Sequence, residues 1–430
     1  MFAVPLPRRA VLGAGLATVL AGCGPSARPE AQWVGGPSSA PTAPPSRPPA
    51  KALTKPAAKA AAKAGYADDV DAVLRKYLRP TKDNPAHPGY AGAVALVVED
   101  GATTVSAAAG DAVRYSAGPV ELPASKRVAM RTDAIFDLAS ITKVYTAMLV
   151  LRLADRGKVD LDAPVRRYLP SFTGAGKDAV TVAMLLAHTG ALPVGAGRAS
   201  WAEVPRIGLV KGGVPGTTFR YSSVGLMVLG KLVETLTGST LDKAVRDQIT
   251  GPLGLRDTGF KPLGWAKKSR LVATDARTSR GLLRGVVHDD VCARLGGVAG
   301  HAGLFGTAAD VAVIGQVLLG GGAYRGKRLL SSEVVRRALT NVNRGKPAID
   351  AERPGRSADH GLGVEMNQPW FMGRLAAPDS FGHTGFTGTS LLVVPSRAMV
   401  VVLLTNRAHP NWSWSNPDTH RVALANAIAA

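Results

Sequence analysis

Strand-type patterns stand at both ends of the folded part of this chain and helix-type patterns fill its middle, and no other feature narrows the fold as much. Gly92 to Glu99 and Ala102 to Ala109 are joined by Asp100-Gly101, a dipeptide that suits a two-residue primed hairpin turn. Near the other end, Leu391 to Val394 and Met399 to Leu404 make a second pair around Pro395-Ser396-Arg397. Between the two pairs, Thr142 to Leu153, Val180 to Leu186, Leu226 to Leu236 and Ala309 to Leu319 carry apolar residues at helical spacing. Val70, Val73, Leu74 and Leu78 predict a helix over 67–78 with acids in its first turn, where the helix dipole favours them, and a helical pattern closes the chain. This order predicts an α/β (α+β) fold: an antiparallel β-sheet flanked by terminal helices, with an all-helical subdomain over roughly 150–310 inserted between its strands.

The N-terminal stretch belongs to neither pattern. Arg8-Arg9 precede the apolar run Ala10 to Ala21, which is too short to span a bilayer and suits the core of a signal peptide over 1–22. Leu20-Ala21-Gly22-Cys23 resembles the lipobox of bacterial lipoproteins, which implies acylation of Cys23, and the arginine pair resembles a twin-arginine export signal. Residues 23–65 are Pro, Ala, Ser and Lys without periodic hydrophobics, a composition that does not offset its own ordering entropy and reads as a tether. The folded domain is then 66–430, and the expected location is extracytoplasmic, lipid-anchored to the cell membrane.

Composition removes several function classes. With 46% hydrophobic residues the chain has material for a large core, which excludes disordered and collagen-like readings. The net charge of +21 suggests nucleic acid, but over residues 1–64 Arg8, Arg9, Arg28, Arg47, Lys51, Lys55, Lys59 and Lys63 stand against Glu30 alone, and the remainder is spread without a basic run. Nucleic acid is therefore not an expected partner. There are two cysteines, and lipid on Cys23 leaves Cys292 without an intramolecular partner, so no disulfide is expected.

Three short motifs carry chemistry. Ser140-Ile141-Thr142-Lys143 precedes an apolar helical run; a three-residue step puts Ser140 and Lys143 on one face, where the amine reaches the hydroxyl. Taken alone, Ser140 also reads as a helix N-cap. Tyr221-Ser222-Ser223 supplies a phenol, which acts as a base at neutral pH only if a cation such as Lys143 depresses its pKa from about 10. His383-Thr384-Gly385-Phe386-Thr387-Gly388 combines glycines that admit close backbone approach, hydroxyls for a carboxylate, and an N–H after Gly385 suited to an oxyanion hole.

Together these motifs resemble the active-site set of class C beta-lactamases, D-alanyl-D-alanine peptidases of the penicillin-binding type, and esterases sharing that fold. The flanking phrases Leu185 to Pro193, His288-Asp289-Asp290 and Gly296 to Phe305 are similar as well, so the resemblance covers the whole folded part. It implies a beta-lactamase/transpeptidase-like fold and a serine acyl hydrolase working through an acyl-enzyme on an ester or D-alanyl amide. Ser140 would be the nucleophile, Lys143 its activator and Tyr221 the proton shuttle. The N–H groups of Ser140 and Phe386 would form the oxyanion hole, with Ser223, His383, Thr384 and Gly385 binding substrate. Beta-lactam hydrolysis and a slow, wall-binding penicillin-binding protein are the alternatives. The resemblance implies no cofactor or metal, a monomer, and a small-molecule or peptidoglycan-peptide substrate.

Two positions depart from that pattern. Ser223 stands where the family usually has Asn and is too short for the same pair of hydrogen bonds. His383 stands where most beta-lactamases have Lys, and a histidine partly charged near neutrality is expected to attract a carboxylate weakly, losing it as pH rises.

Other chemistries lack their motifs. No Gly-x-Ser-x-Gly, His-Glu-x-x-His or paired-cysteine signature occurs, and Gly321 to Lys327 is followed by Arg328 rather than the Ser or Thr of a phosphate loop, so it reads as a turn. His188, His288 and His301 are taken as structural. Because no other segment is apolar and long enough to hold the chain on a bilayer, Cys23→Ala should move the protein from the membrane to the soluble fraction. Retention on salt-washed membranes is the result that contradicts a lipid anchor.

Overall fold

The computed structural model describes residues 65–430. The signal peptide, Cys23 and nearly all of the tether lie outside the described residues. Seven strands form the main sheet: β1 (Gly92–Glu99), β2 (Ala102–Val113), β3 (Val128–Ala129), β4 (Glu365–Met366), β5 (Phe381–Gly385), β6 (Thr389–Val394) and β7 (Met399–Thr405), in the spatial order β4-β5-β6-β7-β1-β2-β3. Every neighbouring pair is antiparallel. The β1–β2 turn places Asp100 and Gly101 at φ 48° and 78°, the left-handed pair that a primed turn requires.

The N-terminal and C-terminal strand pairs meet at the centre of the sheet, with Ala93 opposite Thr405 and Glu99 opposite Met399. Side chains alternate across each strand, and here both faces are dry. Val94, Leu96, Val98, Val400, Val402 and Leu404 enter the main core, whereas Ala93, Ala95, Val97, Met399, Val401 and Leu403 enter a second core on the opposite face. That second core is covered by two terminal helices, α1 (Ala67–Lys76), which buries Val70 and Leu74, and the closing helix (Pro417–Ile428), which buries Leu424, Ala425 and Ile428.

The other face is covered by the connection between β3 and β4, residues 130–364. It contains α2 (Thr142–Asp155), α3 (Val182–Leu186), α4 (Ser223–Thr237), α5 (Asp290–Arg294) and α6 (Ala308–Leu319); the closing helix is then α7. Helix α6 lies directly on the sheet: a Cβ on Gly315 would come 2.6 Å from Val400 Cγ1. Helix α2 is buried nearly all round, from Thr142 to Leu151 without a break. It is the internal post between sheet and helices, and the nucleophile motif is at its N-terminus. Residues 321–328 form a two-stranded hairpin turning at Arg325-Gly326, not a helix-entry loop. Cys292 is buried, and its thiol donates to the Ala302 carbonyl at 3.3 Å.

Candidate active site

The nucleophile loop begins in a short strand, Phe136–Asp137, paired with Leu304–Gly306. The chain then reverses through one tight turn, Ala139–Ile141, into α2. Ala139 sits at φ 47°, a conformation disfavoured for a residue with a Cβ, and the buried Asp137 holds it there by accepting its N–H at 2.9 Å. The second oxygen of Asp137 accepts the His288 N–H at 2.7 Å. Ser140 follows immediately, one turn ahead of Lys143, and Lys143 Nζ lies 2.9 Å from Ser140 Oγ and donates to the His301 carbonyl at 3.0 Å.

Tyr221 arrives from the loop before α4. Arg220 N donates to the His188 carbonyl, Ser222 N to His188 Nδ1 at 3.1 Å, and Ser223 N to the Val194 carbonyl, so amides on both sides of Tyr221 fix the phenol's position. Ser222 caps α4 by accepting the Gly225 N–H. The Tyr221 ring lies 4.9 Å from Lys143 Nζ and 4.7 Å from the His188 ring. Ser223 is half-buried at the first position of α4.

The third motif is strand β5 and the turn after it. Thr387 Oγ1 donates to the Asp137 carbonyl at 2.8 Å and Thr389 Oγ1 to the Leu138 carbonyl at 3.1 Å, stitching this turn to the nucleophile loop. Gly385 is required by the fit: a Cβ there would lie 2.0 Å from Thr389 Oγ1 and 2.5 Å from the Leu138 carbonyl oxygen. From behind, Arg421 of α7 donates to the Gly385 and Thr389 carbonyls at 2.6 and 2.9 Å. Phe386 is 43% exposed beside this turn, its carbonyl held by Arg407 Nε at 2.7 Å. Thr384 is half-buried and His383 is buried, with its ring centroid 6.2 Å from that of Tyr221. The structure thus brings Ser140, Lys143, Tyr221, His383 and Gly385 to one place. Among the described residues no group of three or more His, Cys, Asp or Glu side chains is arranged to hold a metal.

Burial sets the electrostatics. Desolvation pushes the Lys143 amine down to about 7, against the opposing fields of Asp289 and Glu365. The same desolvation pushes the Tyr221 phenol up, and its contact with Ser140 works against that shift. The phenol therefore stays protonated, and the amine is the group poised to take a proton near neutrality. His383 departs from the partly charged state expected of it. Burial, and then Lys143, take it down to about 3, so it is a neutral imidazole rather than a partial cation. Its Nδ1 contacts the Thr384 carbonyl at 2.8 Å; a carbonyl only accepts, so Nδ1 carries the hydrogen and the buried, unpartnered Nε2 is a bare acceptor.

Several residues of this site had no individual signal in the sequence. Asp137, Thr387, Thr389 and Arg421 act across long sequence separations, although Thr387 lies inside the third motif. Asp289 and His301 lie in the flanking phrases that carried the resemblance, but reading their histidines as structural gave no reason to link them to Lys143.

The comparisons with known proteins agree with this geometry. Residues 70–426 match the beta-lactamase family. The chain belongs to that family. An Escherichia coli K12 protein named as a D-alanyl-D-alanine carboxypeptidase is 32% identical over 361 residues, covering 75% of this chain and 79% of its own. An N-acetylmuramyl-L-alanine amidase of Bacillus subtilis strain 168 is 33% identical over 359 residues, covering 75% and 78%. The crystal structure of a penicillin-binding protein homologue from Caulobacter crescentus superposes with a TM-score of 0.64 at 22% identity, covering 85% of this chain and 97% of that one. The fold is the beta-lactamase/transpeptidase-like one, and the protein is a serine hydrolase of the beta-lactamase family.

Gly385→Ala tests the stitching. A methyl forced against Thr389 and Leu138 should move the turn off the nucleophile loop and lower kcat by about 10²-fold or more, the scale of a lost oxyanion donor. Steady-state kinetics beside a thermal melt separates this from unfolding. A variant with unchanged kcat would show that the turn's position does not matter to the reaction.

Proposed function

We propose that this beta-lactamase-family hydrolase is an extracytoplasmic, lipid-anchored enzyme that cleaves esters and amides with uncharged leaving groups through an acyl-enzyme on Ser140. The observation that carries the reaction is the buried Lys143 amine 2.9 Å from Ser140 Oγ, brought down to about 7. In its neutral form it takes the hydroxyl proton as Oγ attacks the acyl carbon. The bond to the leaving group breaks, and the leaving group receives a proton from the Tyr221 phenol, which Lys143 replenishes. Water then attacks the ester, passes its proton to Lys143, and Oγ recovers one as the acid departs. The N–H groups of Ser140 and Phe386 receive the developing negative charge. The anchor and the location rest on the Cys23 lipobox and the tether composition.

The leaving-group reading rests on His383. A D-alanyl-D-alanine terminus presents a carboxylate just beyond the scissile amide, and a neutral imidazole offers it no charge. Two nearby guanidinium groups are already neutralised: Arg356 pairs with Asp350 and Glu365 at 2.8 and 3.0 Å, and Arg421 with Asp418 at 2.8 Å. Carboxypeptidase activity on a free D-alanyl-D-alanine end is the second reading, favoured by the name of the Escherichia coli relative.

Labelling by a fluorophosphonate should disappear in a folded Ser140→Ala protein; persistent labelling would place the nucleophile elsewhere. With a neutral ester, kcat/KM should be about a tenth of its plateau at pH 6 and level above about pH 8, because only the neutral amine accepts the proton. Between pH 5 and 8, KM for a D-alanyl-D-alanine peptide and for its C-terminal amide should run parallel, with the amide the better substrate. A preference for the free acid that fades with rising pH would restore the cationic His383 and the carboxypeptidase reading.

A further inference from the structure

Lys143 has no carboxylate within ion-pair distance among the described residues, but a hydrogen-bonded path leads from it to one. Its Nζ donates to the His301 carbonyl at 3.0 Å, and the His301 side chain meets Asp289 Oδ1 at 3.2 Å. A carboxylate only accepts, so His301 Nε2 carries the hydrogen and donates it; Nδ1 is left bare and unpartnered in the interior. The loop is fastened in place. Thr146 of α2 donates to the Gly300 carbonyl at 2.8 Å, Leu304 N donates to Thr142 Oγ1 at 3.2 Å, and a Cβ on Gly300 would come 2.1 Å from the Leu226 carbonyl of α4. His301 therefore has little room to move unless its own partner does. That partner, Asp289, is itself fixed as the N-cap of α5, where Oδ1 also accepts Cys292 N at 2.7 Å.

We propose that Asp289, which takes no part in the bond changes, is a positioning residue for Lys143. Through His301 Nε2–H and the His301 carbonyl it fixes where the amine lies and favours the transient ammonium of both half-reactions. The proposal rests on the lysine-base reading above. The groups facing Lys143 come from several elements: Asp289 and Cys292 at α5, Glu365 on β4, Tyr221 from the loop before α4, His188 after α3, His301, and His383 on β5. Only Asp289 and Glu365 are acids. Glu365 is paired with Arg356 at 3.0 Å, whereas Asp289 has no guanidinium in contact with it among the described residues. Asp289 is also the first opposing influence on the Lys143 amine after desolvation.

The test is the second-order rate of Ser140 acylation by a neutral ester in the full chain, from pH 5 to 9, for wild type, Asp289→Asn and Asp289→Ser. Both substitutions keep an oxygen to cap Cys292 N, so α5 retains its start if either folds. Removing the negative charge disfavours the ammonium. The acidic limb should then move down by about half to one pH unit, and the rate at pH 6 should rise about three- to fivefold relative to each variant's own plateau. The plateau itself should fall, because the ammonium formed in the transition state loses its support. A residue that merely held the loop would lower the rate at every pH and leave the limb where it is, and that outcome overturns the proposal. A flat wild-type profile removes Lys143 as the base and overturns it as well. A wild-type limb that Asp289→Asn leaves unmoved overturns the positioning role alone.

Discussion

A lysine amine enclosed by protein, with a hydroxyl and a carbonyl as its partners and no carboxylate in contact, is the constraint on which the rest of this site depends. Burial of an ammonium is unfavourable, and the group yields its proton unless something nearby supplies opposite charge. Here the supply is partial. Asp289 and Glu365 act at a distance and the amine comes to rest at about 7, where both of its forms are accessible under ordinary conditions. An ion pair in direct contact would have locked the ammonium, and a wholly apolar surrounding would have left an amine too weak to hold a proton between steps. Enclosure by α2, the loop of His301 and strand β5 is therefore part of the chemistry.

That enclosure requires four distant stretches of chain to meet within hydrogen-bond distance. The strand-to-helix turn at Ala139 supplies the hydroxyl, the Thr387–Thr389 segment buttresses that turn, the loop of Tyr221 supplies the phenol, and the 288–301 segment supplies the carbonyl beneath the amine. The antiparallel sheet makes the meeting possible. Its central strands come from the two ends of the domain, which leaves β5 and β6 between the centre and the edge strand β4, under the face that the inserted helices cover. Gly385 and Gly300 mark two close approaches, with the Leu138 and Leu226 carbonyl oxygens 2.5 and 2.1 Å from where a Cβ would lie. Asp137 joins two of the four stretches through one carboxylate, accepting Ala139 N and His288 N, and so links the strained turn to the loop that carries Asp289.

What the sequence made legible was whatever is local or periodic. The Asp100-Gly101 turn, the strand pairs, α4, α6 and the three-residue step from Ser140 to Lys143 all follow from neighbours within a few residues, and each appears in the structure close to its expected bounds. The helix over 67–78 stops at Lys76, and the Tyr77 carbonyl accepts the N–H groups of Gly89 and Tyr90 instead of continuing the helix. The charge states at the site were not legible, because desolvation belongs to the assembled interior and leaves no mark on spacing. A cation beside Tyr221 is the condition under which its phenol acts as a base, and its own burial outweighs any neighbour. His301, set aside as structural, contributes the carbonyl that holds the amine.

The reversal at His383 and the activation of Lys143 have a single origin. In a dry site, bases lose their protons and acids keep theirs, so the desolvation that makes the amine usable also silences the imidazole and keeps the phenol a proton donor. The two outcomes cannot be tuned independently while both groups share the same walls. Opening the site enough for His383 to charge would return Lys143 towards an ordinary ammonium and cost the base. A histidine in this position is therefore compatible with a lysine base only as a neutral acceptor. Selection for a carboxylate-bearing substrate would demand a cation that survives burial, such as a guanidinium.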